Sequence, residues 1–481
     1  MPGASVVVAS NRGPLSFVAA DDGSLTARRG AGGLVTGLAS AMADGEAVWV
    51  CAALSEADRS AATAAPSGHL HEAGHDTGGA HVRMLALDPL DFNRAYNAIA
   101  NGTLWFTTHH LYDSATRPTF DLAWRREWAS YVTVNDAFAA ALAEEAADGA
   151  RVMVQDYHLF LVPELLRRRR PDLRIGHFTH TPWSDPGYFA LLPDDVAHDL
   201  LAGLLGADSA VFHTGRWAGA FLECCARVLG ADAEVDHGGR TVTYAGRTTR
   251  IGVCGLGVDG EELVARAKEP DVEARLRSLR QWAGDRQIVL RIDRTELSKN
   301  IVRGLQAYRE LLRTHAEWRD RVVHLACAYP SRHDLPEYRE YTAAVQRTAA
   351  EINDEFGHAG WQPVRLEVSD DYPRSLAAFA MADVLVVNAV RDGMNLVAKE
   401  GAVLSRDGCA LVLSRETGAA AELSGSALVV NPYDVTQTAA AIDAGLRMDP
   451  AERRTRTDRI AELATALPPQ AWFAAQLDML G

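Results

Sequence analysis

The sequence predicts an α/β fold with two doubly wound domains, each a parallel sheet covered by helices on both faces. Two series of short apolar runs, rich in β-branched residues, alternate with longer helical patterns along the 481 residues. Continuous apolar strands separated by amphipathic helices are typical of parallel sheets that are buried on both faces. The chain is also too long for one hydrophobic core, because single cores stop growing at roughly 250–300 residues. We therefore expect two Rossmann-like domains.

The predicted strands fall into two groups separated by a hairpin. Residues 238–259 alternate polar and apolar side chains and turn at Ala245-Gly246, which indicates a β-hairpin followed by a glycine-containing linker. We place the domains at residues 1–254 and 255–465, and we expect residues 466–481 to form a helix that packs back on the first domain. The predicted strands are 5–10, 47–52, 82–87, 151–156, 174–180 and 209–214 in the first domain, and 287–293, 321–328, 364–368, 383–389, 410–414 and 427–432 in the second.

Charge and composition exclude several classes of partner. The formal net charge of −15 argues against nucleic acid and against an anionic membrane. No apolar run reaches the roughly 18 residues that a membrane span requires, and the amino-terminal residues lack the basic segment of a signal peptide. The six cysteines show no paired spacing, which favours reduced thiols in a cytoplasmic protein.

One short pattern imitates a metal site. Residues 71–75 read HEAGH, which matches the zinc-protease signature. That signature requires a helix, so that both histidines share one face, and the glycines and proline around it argue against a helix here. We therefore expect no metal at this segment.

Cations follow predicted strands of both domains. In open α/β sheets ligands bind at the carboxyl ends of the strands, which would place the site in a cleft between two facing sheets. Arg12 follows the first strand, and Arg294, Lys299 and Arg332 follow strands of the second series. Four such cations in an acidic protein suggest two phosphorylated ligands, a diphosphate and a monophosphate, because a guanidinium binds phosphate through parallel hydrogen bonds. For any one of them, a solvated surface charge is the alternative.

Polar residues and a glycine-rich loop stand at other strand ends. Asp156 and His180 each end a strand of the first series, where a capping aspartate and a hydrogen-bonded structural histidine are the alternatives. Gly33 lies in a glycine-rich loop before an apolar helix. Backbone N–H groups in such a loop favour an anion, and a plain tight turn is the alternative.

The segment RDGMNLVAKE, residues 391–400, interrupts a buried pattern directly after an apolar run. Asp392 and Asn395 can bond sugar hydroxyls, and the backbone amides from Met394 to Val397 open a helix towards an anion. Glu400, one turn into that helix, can accept hydrogen bonds from ribose hydroxyls. The segment therefore predicts a turn that binds a sugar and a phosphate.

Taken in order, the motifs of this chain resemble those of one enzyme family. They are SNRGP, GAGGLVTG, YNAIANGTLW, VQDYHLFLVPELLR, HFTHTPW, RTELSK, PSR, RDGMNLVAKE and LVVNPYD. From Val6 to Tyr433 the chain resembles the trehalose-6-phosphate synthases, retaining glycosyltransferases of family 20 with a GT-B fold. The resemblance implies transfer of glucose from a nucleotide-glucose donor to glucose 6-phosphate. It implies no metal and no cofactor, since cationic side chains stabilise the leaving diphosphate, and it is compatible with a homo-oligomer.

The resemblance implies that the first domain binds the acceptor. Arg12 and Arg332 would hold the phosphate of glucose 6-phosphate, and Tyr96 and Trp105 would wall that pocket. Asp156 would bond the acceptor sugar near the reacting centre.

The resemblance implies that the second domain binds the nucleotide sugar. Arg294 and Lys299 would neutralise the diphosphate as it leaves, His180 and Asp392 would contact the transferred glucose, and Glu400 would hold the ribose. The implied catalytic set is Asp156, His180, Arg294, Lys299 and Asp392, and the implied donor-binding set is Gly33, His180, Arg294, Lys299, Asp392, Asn395, Leu396, Val397 and Glu400.

The chain departs from the family pattern in three segments. Gln155 stands where relatives often have histidine, and Asn300 stands where they have glycine. In the segment VSDDYPRS, Ser369 and Asp370 take the place of a His-Phe pair that uridine-using relatives carry beside the base. A carboxylate suits the N1–H and N2–H groups of guanine rather than the oxygens of uracil. We therefore predict GDP-glucose as the sugar donor, with Asp370 or Asp371 contacting the base.

Two other functions stay open on the sequence. One is a pseudo-glycosyltransferase that couples cyclitols through nitrogen and also uses GDP, and the other is a non-catalytic sugar-phosphate sensor on the same scaffold. The intact segment DGMNLVAKE favours a synthase over the first, and the presence of every matched charged position favours it over the second.

Overall fold

The computed structural model describes residues 3–20, 24–29, 47–332 and 334–481. Gly33 therefore lies outside the described residues. The chain divides into two compact units, one made of Met1–Gly255 with Pro469–Gly481 and the other of Leu256–Pro468. In the first unit, Trp472 of the last helix packs edge-on against Phe178, with 4.8 Å between the ring centroids.

The first unit is built around a mixed sheet. Its strands, in chain order, are β1 (Ala4–Ser10), β2 (Leu15–Ala19), β3 (Leu25–Arg29), β4 (Ala47–Ala52), β5 (His81–Leu85), β6 (Ala146–Gln155), β7 (Arg174–Thr179), β8 (Ser209–Phe212), β9 (Ala233–Asp236), β10 (Thr241–Tyr244) and β11 (Arg247–Val253). In the described residues the sheet has the order β5-β4-β1-β6-β7-β8-β11-β10-β9, and β2 and β3 form a separate hairpin. The part β5-β4-β1-β6-β7-β8 has the Rossmann order, so the winding direction reverses between β1 and β6.

Helices cover this sheet, and the predicted hairpin lies near one edge of it. β10 and β11 pair antiparallel and turn at Ala245 and Gly246, so this prediction is confirmed. In the part of the first unit that the structure describes, the helices are Glu56–Ala64, Pro66–Gly68, Pro89–Asn93, Arg94–Leu104, Trp105–His109, Leu122–Glu145, Tyr157–Leu159, Val162–Arg169, Pro186–Phe189, Asp194–Leu204, Gly215–Val228, Gly230–Asp232 and Pro469–Asp478.

The second unit is a parallel sheet throughout. Its strands are β12 (Gln287–Arg294), β13 (Val322–Tyr329), β14 (Val364–Glu367), β15 (Val384–Val387), β16 (Ala410–Ser414) and β17 (Leu428–Val430). Their order in the described residues, β14-β13-β12-β15-β16-β17, is again the Rossmann order, which reverses between β12 and β15. The helices are Gly260–Arg266, Pro270–Ala283, Leu297–Lys299, Ile301–Thr314, Ala316–Trp318, Pro336–Phe356, Tyr372–Phe379, Val397–Leu404, Ala420–Leu423, Val435–Arg447 and Pro450–Thr465.

Burial explains why these segments form strands. Every residue of β15, β16 and β8 is buried, as expected for strands that helices cover on both faces. Each predicted strand overlaps an observed one, and the predicted α/β class with parallel sheets is confirmed.

Three further observations bear on the sequence-based expectations. Residues 71–74 form turns and residue 75 lies outside any element, so the segment HEAGH is not a helix. The six cysteines are all buried free thiols. Among the described residues, none of the helices is long and apolar enough to cross a membrane.

Candidate active site

Two loops lie side by side at the reversal point of the first unit. β1 and β6 are neighbouring parallel strands, so Arg12 and Asp156, which follow them, are at the same end of the sheet. The side chain of Arg12 is exposed. Its loop is held because Ser10 Oγ donates to the Arg12 carbonyl at 2.7 Å and accepts from Trp49 Nε1 at 2.8 Å.

Asp156 has an unusual backbone conformation. Its φ of 72° and ψ of 172° fall in a region that is essentially limited to glycine and costs about 1–3 kcal/mol for other residues. The surrounding structure enforces it, since Asp156 N donates to Phe178 O at 2.7 Å and His180 N donates to Asp156 Oδ1 at 3.1 Å. Backbone strain of this kind is found at functional sites, so Asp156 stays a candidate site residue.

His180 lies next to Asp156 with a fixed tautomer. Its Nε2 is 2.9 Å from Gln155 Oε1. An amide oxygen only accepts, so Nε2 carries the proton and Nδ1 remains an acceptor. Burial among aromatic rings, including Phe178 and Trp472, lowers the pKa of His180 to about 3. The imidazole is therefore neutral and can accept a hydrogen bond from a sugar hydroxyl.

The two aromatic residues predicted to wall the acceptor pocket differ in exposure. Tyr96 is half-buried and stacks on Phe92 and on His158, with 5.6 Å between ring centroids in each pair. Trp105 is only 7% exposed and stacks on His109 at 3.8 Å. Tyr96 belongs to a π-helix, Arg94–Leu104, a local irregularity that is frequent at functional sites.

In the second unit, the cations after β12 and β13 are arranged around a buried carboxylate, Glu296. Arg294 Nη1 lies 2.9 Å from Glu296 Oε1, and Arg332 Nη1 lies 3.7 Å from Oε2. Ser331 Oγ donates to Oε1 at 2.9 Å. Burial alone would raise the pKa of Glu296, but Arg294, Arg332 and Lys299 lower it to about 2. The sequence-based reasoning assigned no role to Glu296.

Lys299 and Asp392 form an ion pair across the reversal point between β12 and β15. Lys299 Nζ lies 2.5 Å from Asp392 Oδ2, and both side chains are 14% exposed. Asn395 Nδ2 donates to the same oxygen at 3.0 Å. Burial alone would lower the pKa of Lys299, but the carboxylates of Asp392, Asp293 and Glu296 raise it above its ordinary value. Lys299, the lysine predicted to bind the diphosphate, is therefore charged. Asp392, the carboxylate predicted to bind the sugar, orients it.

The helix that follows Asp392 begins where the sequence predicts. Asn395 has a φ of 80°, and its Oδ1 accepts from Ala398 N at 3.2 Å, next to the helix Val397–Leu404. Leu396 and Val397 are half-buried at its start. Glu400 lies one turn further, and its carboxylate makes no hydrogen bond or ion pair with the described residues. Burial raises the pKa of Glu400 to about 7.

The family to which the chain belongs follows from comparison with known proteins. A model of the family "Glycosyltransferase family 20" matches residues 4–481. The chain belongs to glycosyltransferase family 20. The predicted family and the prediction of a glycosyltransferase are thereby confirmed.

Curated relatives and solved structures that are similar to this glycosyltransferase cover almost all of the chain. The trehalose-6-phosphate synthase of Mycobacterium sp. (strain JLS) is 36% identical over 484 residues, which cover 98% of this chain and 95% of the relative. The E. coli structure bound with UDP-2-fluoro glucose has 28% identity and a TM-score of 0.84, with 98% of each chain covered. The Burkholderia xenovorans alpha,alpha-trehalose-phosphate synthase (UDP-forming) in complex with glucose-6-phosphate has 27% identity, a TM-score of 0.85, and coverage of 99% of this chain and 100% of that one. These matches confirm the predicted GT-B fold.

Asn300, which is predicted to replace a glycine of the family pattern, has a backbone conformation that glycine also adopts easily. Its φ of 57° and ψ of 37° are left-handed, a conformation that asparagine tolerates better than most residues. Its Nδ2 donates to the carbonyls of Asn388 at 2.9 Å and Pro432 at 2.7 Å. The departure therefore preserves the turn before the helix Ile301–Thr314 and adds side-chain hydrogen bonds to it.

The two carboxylates predicted to contact the base have different surroundings. Asp371 Oδ1 caps the helix Tyr372–Phe379 by accepting from Arg374 N at 2.9 Å, and its Oδ2 pairs with Arg275 Nε at 2.9 Å. Asp370 is exposed. Asp371 thus stabilises the loop, whereas Asp370 presents its carboxylate to solvent.

Proposed function

We propose that this glycosyltransferase transfers glucose from a nucleotide-glucose donor to glucose 6-phosphate and forms α,α-trehalose 6-phosphate with retention of configuration. The observation that carries the proposal is the set of cations around Glu296, since Arg294, Lys299 and Arg332 are placed together at the carboxyl ends of β12 and β13. Relatives that bind UDP-2-fluoro glucose and glucose-6-phosphate share the whole fold.

In the second unit, the proposed ligand is the nucleotide sugar. Arg294 and Lys299 would stabilise the negative charge that develops on the diphosphate, much as an oxyanion hole does. Asp392, which Lys299 and Asn395 already orient, would bond a glucose hydroxyl, and Glu400 would bond the ribose. Arg332 would bind the phosphate of the acceptor.

In the first unit, Arg12 and Asp156 are proposed to bind the phosphate and the sugar of glucose 6-phosphate, next to Tyr96 and Trp105. The reaction forms a bond between the acceptor hydroxyl oxygen and C1 of the transferred glucose. It breaks the bond from C1 to the diphosphate, and the leaving phosphate oxygen takes the hydroxyl proton. Neutral His180 would accept a hydrogen bond from a hydroxyl of the transferred glucose, because its Nδ1 carries no proton.

We further propose that the sugar donor is GDP-glucose. Asp370, whose carboxylate is exposed beside the capping residue Asp371, would accept from N1–H and N2–H of guanine. Two hydrogen bonds to a charged group are worth about 1.5–3 kcal/mol each, so Asp370→Ala should lower kcat/KM for GDP-glucose at least about tenfold. Turnover of UDP-glucose should not change. Equal turnover of the two sugar donors by the wild type, or an unchanged preference in Asp370→Ala, would contradict the proposal.

The test of the activity itself is a panel of UDP-, GDP- and ADP-glucose with glucose 6-phosphate, with the products identified by mass spectrometry. Trehalose 6-phosphate is expected. Lys299→Met should lower kcat by about 10²–10³, as loss of one preorganised charge at a leaving group does. Lys268→Met is the matched control, because Lys268 is an exposed lysine of the same unit. Absence of product with every sugar donor, together with intact ligand binding, would favour a sensor instead.

A further inference from the structure

The carboxylate of Glu296 lies where no substrate can touch it. Its side chain is 0% exposed, whereas its partner Arg294 is 55% exposed. Glu296 sits between the loops that follow β12 and β13, two neighbouring parallel strands. Glu296 therefore acts on a bound phosphate only through its charge and through the cations that surround it.

Each oxygen of Glu296 faces one guanidinium. Oε1 is 2.9 Å from Arg294 Nη1, and Oε2 is 3.7 Å from Arg332 Nη1. Arg332 is also fixed from its other side, because it donates to Tyr338 Oη at 2.8 Å and lies over that ring. The guanidinium of Arg294 has no second anchor of this kind among the described residues. Lys299 lies three residues after Glu296 and pairs with Asp392. The three cations Arg294, Arg332 and Lys299 thus lie near these two carboxylates.

We propose that Glu296 is a positioning residue and the resident counter-anion of these cations. It holds Arg294 and Arg332 in place when no phosphate is bound, and its charge limits how tightly the diphosphate product is held. The inference rests on the proposed function of this site and adds a reason for product release. Without Glu296, the three cations would face a diphosphate with one carboxylate fewer beside them, and the product would leave slowly.

The sign of the effect separates this role from a merely structural one. Removing a negative charge about 6 Å from a bound phosphate strengthens its binding by roughly tenfold or more at an effective dielectric constant of about 20, less after screening by salt. Damage to the fold would weaken binding or leave it unchanged. Glu296→Asp retains the charge and should bind phosphate within about threefold of the wild type.

The probe is inorganic pyrophosphate, measured by isothermal titration calorimetry at low and at moderate ionic strength. Glu296→Gln is expected to bind it about tenfold more tightly than the wild type at low salt, with a smaller gain at moderate salt. Glu355→Gln is the matched control, because Glu355 also bridges two arginines of the same unit, Arg309 and Arg313, through hydrogen bonds at the surface. It should bind pyrophosphate as the wild type does.

Transfer kinetics give the second measurement. Glu296→Gln should show a lower kcat and stronger product inhibition by the nucleoside diphosphate. Equal or weaker pyrophosphate binding by a folded Glu296→Gln protein would overturn the proposal, and Glu296→Ala, a second neutral variant with the same expectation, replaces it if it does not fold. Pyrophosphate binding needs no turnover, so a wild type without transfer activity would refute the proposed function and leave this inference standing on its own test.

Discussion

Replacing Glu400 by glutamine is expected to stabilise the second unit at alkaline pH and to leave its stability unchanged near pH 4. The carboxylate is half-buried in the helix Val397–Leu404 and has no polar partner among the described residues. Burial raises its pKa from 4.5 to about 7. Between these two values the unfolded chain has released this proton while the folded chain still holds it. The free energy of unfolding therefore falls as the pH rises through this window.

The size of the effect follows from the same two values. A pKa difference of this magnitude corresponds to about 3 kcal/mol once the pH exceeds 7. Because the side chain is only half-buried, we expect about 1–3 kcal/mol in favour of Glu400→Gln at pH 8.5. A neutral amide has no ionisation to suppress, so the difference between the two proteins should disappear at low pH.

Urea unfolding at pH 4.5 and 8.5 measures the difference in stability between Glu400→Gln and the wild type. Hydrogen exchange of peptides from 397–404 serves as the local readout of the unfolding. Glu340→Gln is the control, because Glu340 is an exposed carboxylate on the helix Pro336–Phe356. A Glu400→Gln protein that is less stable than the wild type at pH 8.5, or equally shifted at both pH values, would refute the reasoning. The proposed ribose contact adds a second expectation. Binding of the nucleotide sugar should strengthen through about pH 7, and Glu400→Gln should lose that part of the pH dependence.

Three further substitutions test other parts of the structure. Asn300→Gly should cost about 1–3 kcal/mol, chiefly through loss of the two buried hydrogen bonds that the side chain donates. Asn300→Ala should cost about 1 kcal/mol more, because of the left-handed backbone at this position. Urea unfolding should give that order of stability, and the reverse order would contradict the reasoning. Asp156→Gly removes the carboxylate, so it should abolish transfer. It also relieves backbone strain, so the free energy of unfolding should change by less than about 1 kcal/mol. Asp156→Ala should be less stable than Asp156→Gly, because alanine keeps the strain. Trp472→Ala should lower the stability of the first unit by about 3–5 kcal/mol in calorimetry, and an effect below 1 kcal/mol would mean that the last helix packs only weakly.

Much of the fold could be predicted because strand position depends on local pattern. β16 is a run of apolar residues flanked by polar ones, and its predicted and observed bounds coincide. β6 begins at Ala146, earlier than predicted, because residues such as Gly149 look like a turn in sequence yet continue a strand that pairs with β1 through a register shift. That pairing is non-local and leaves no mark in the sequence of β6.

Part of the candidate site could be predicted from the sequence, and part could not. Arg12, Asp156 and Arg294 could be placed at strand ends, since parallel strands bring their carboxyl ends to one edge. The direction of side chains could not be predicted. The Lys299–Asp392 pair joins residues far apart in sequence, and the burial of Glu296 depends on Arg332 arriving from the next strand. A carboxylate three residues before the lysine of RTELSK, among cations at strand ends, is the one signal that could have drawn attention to Glu296.

The return of the last helix to the first unit has a consequence for the order of synthesis. The ribosome makes all of Leu256–Pro468 before it makes Pro469–Gly481, a delay of about ten to forty seconds at usual elongation rates. Until then the first unit lacks Trp472, which covers Phe178 and His180. A nascent chain therefore carries a wetter, more easily protonated His180 and an unfinished first unit, and it should need protection by chaperones during translation. A chain that stops before Pro469 should have an intact second unit and an incomplete first one.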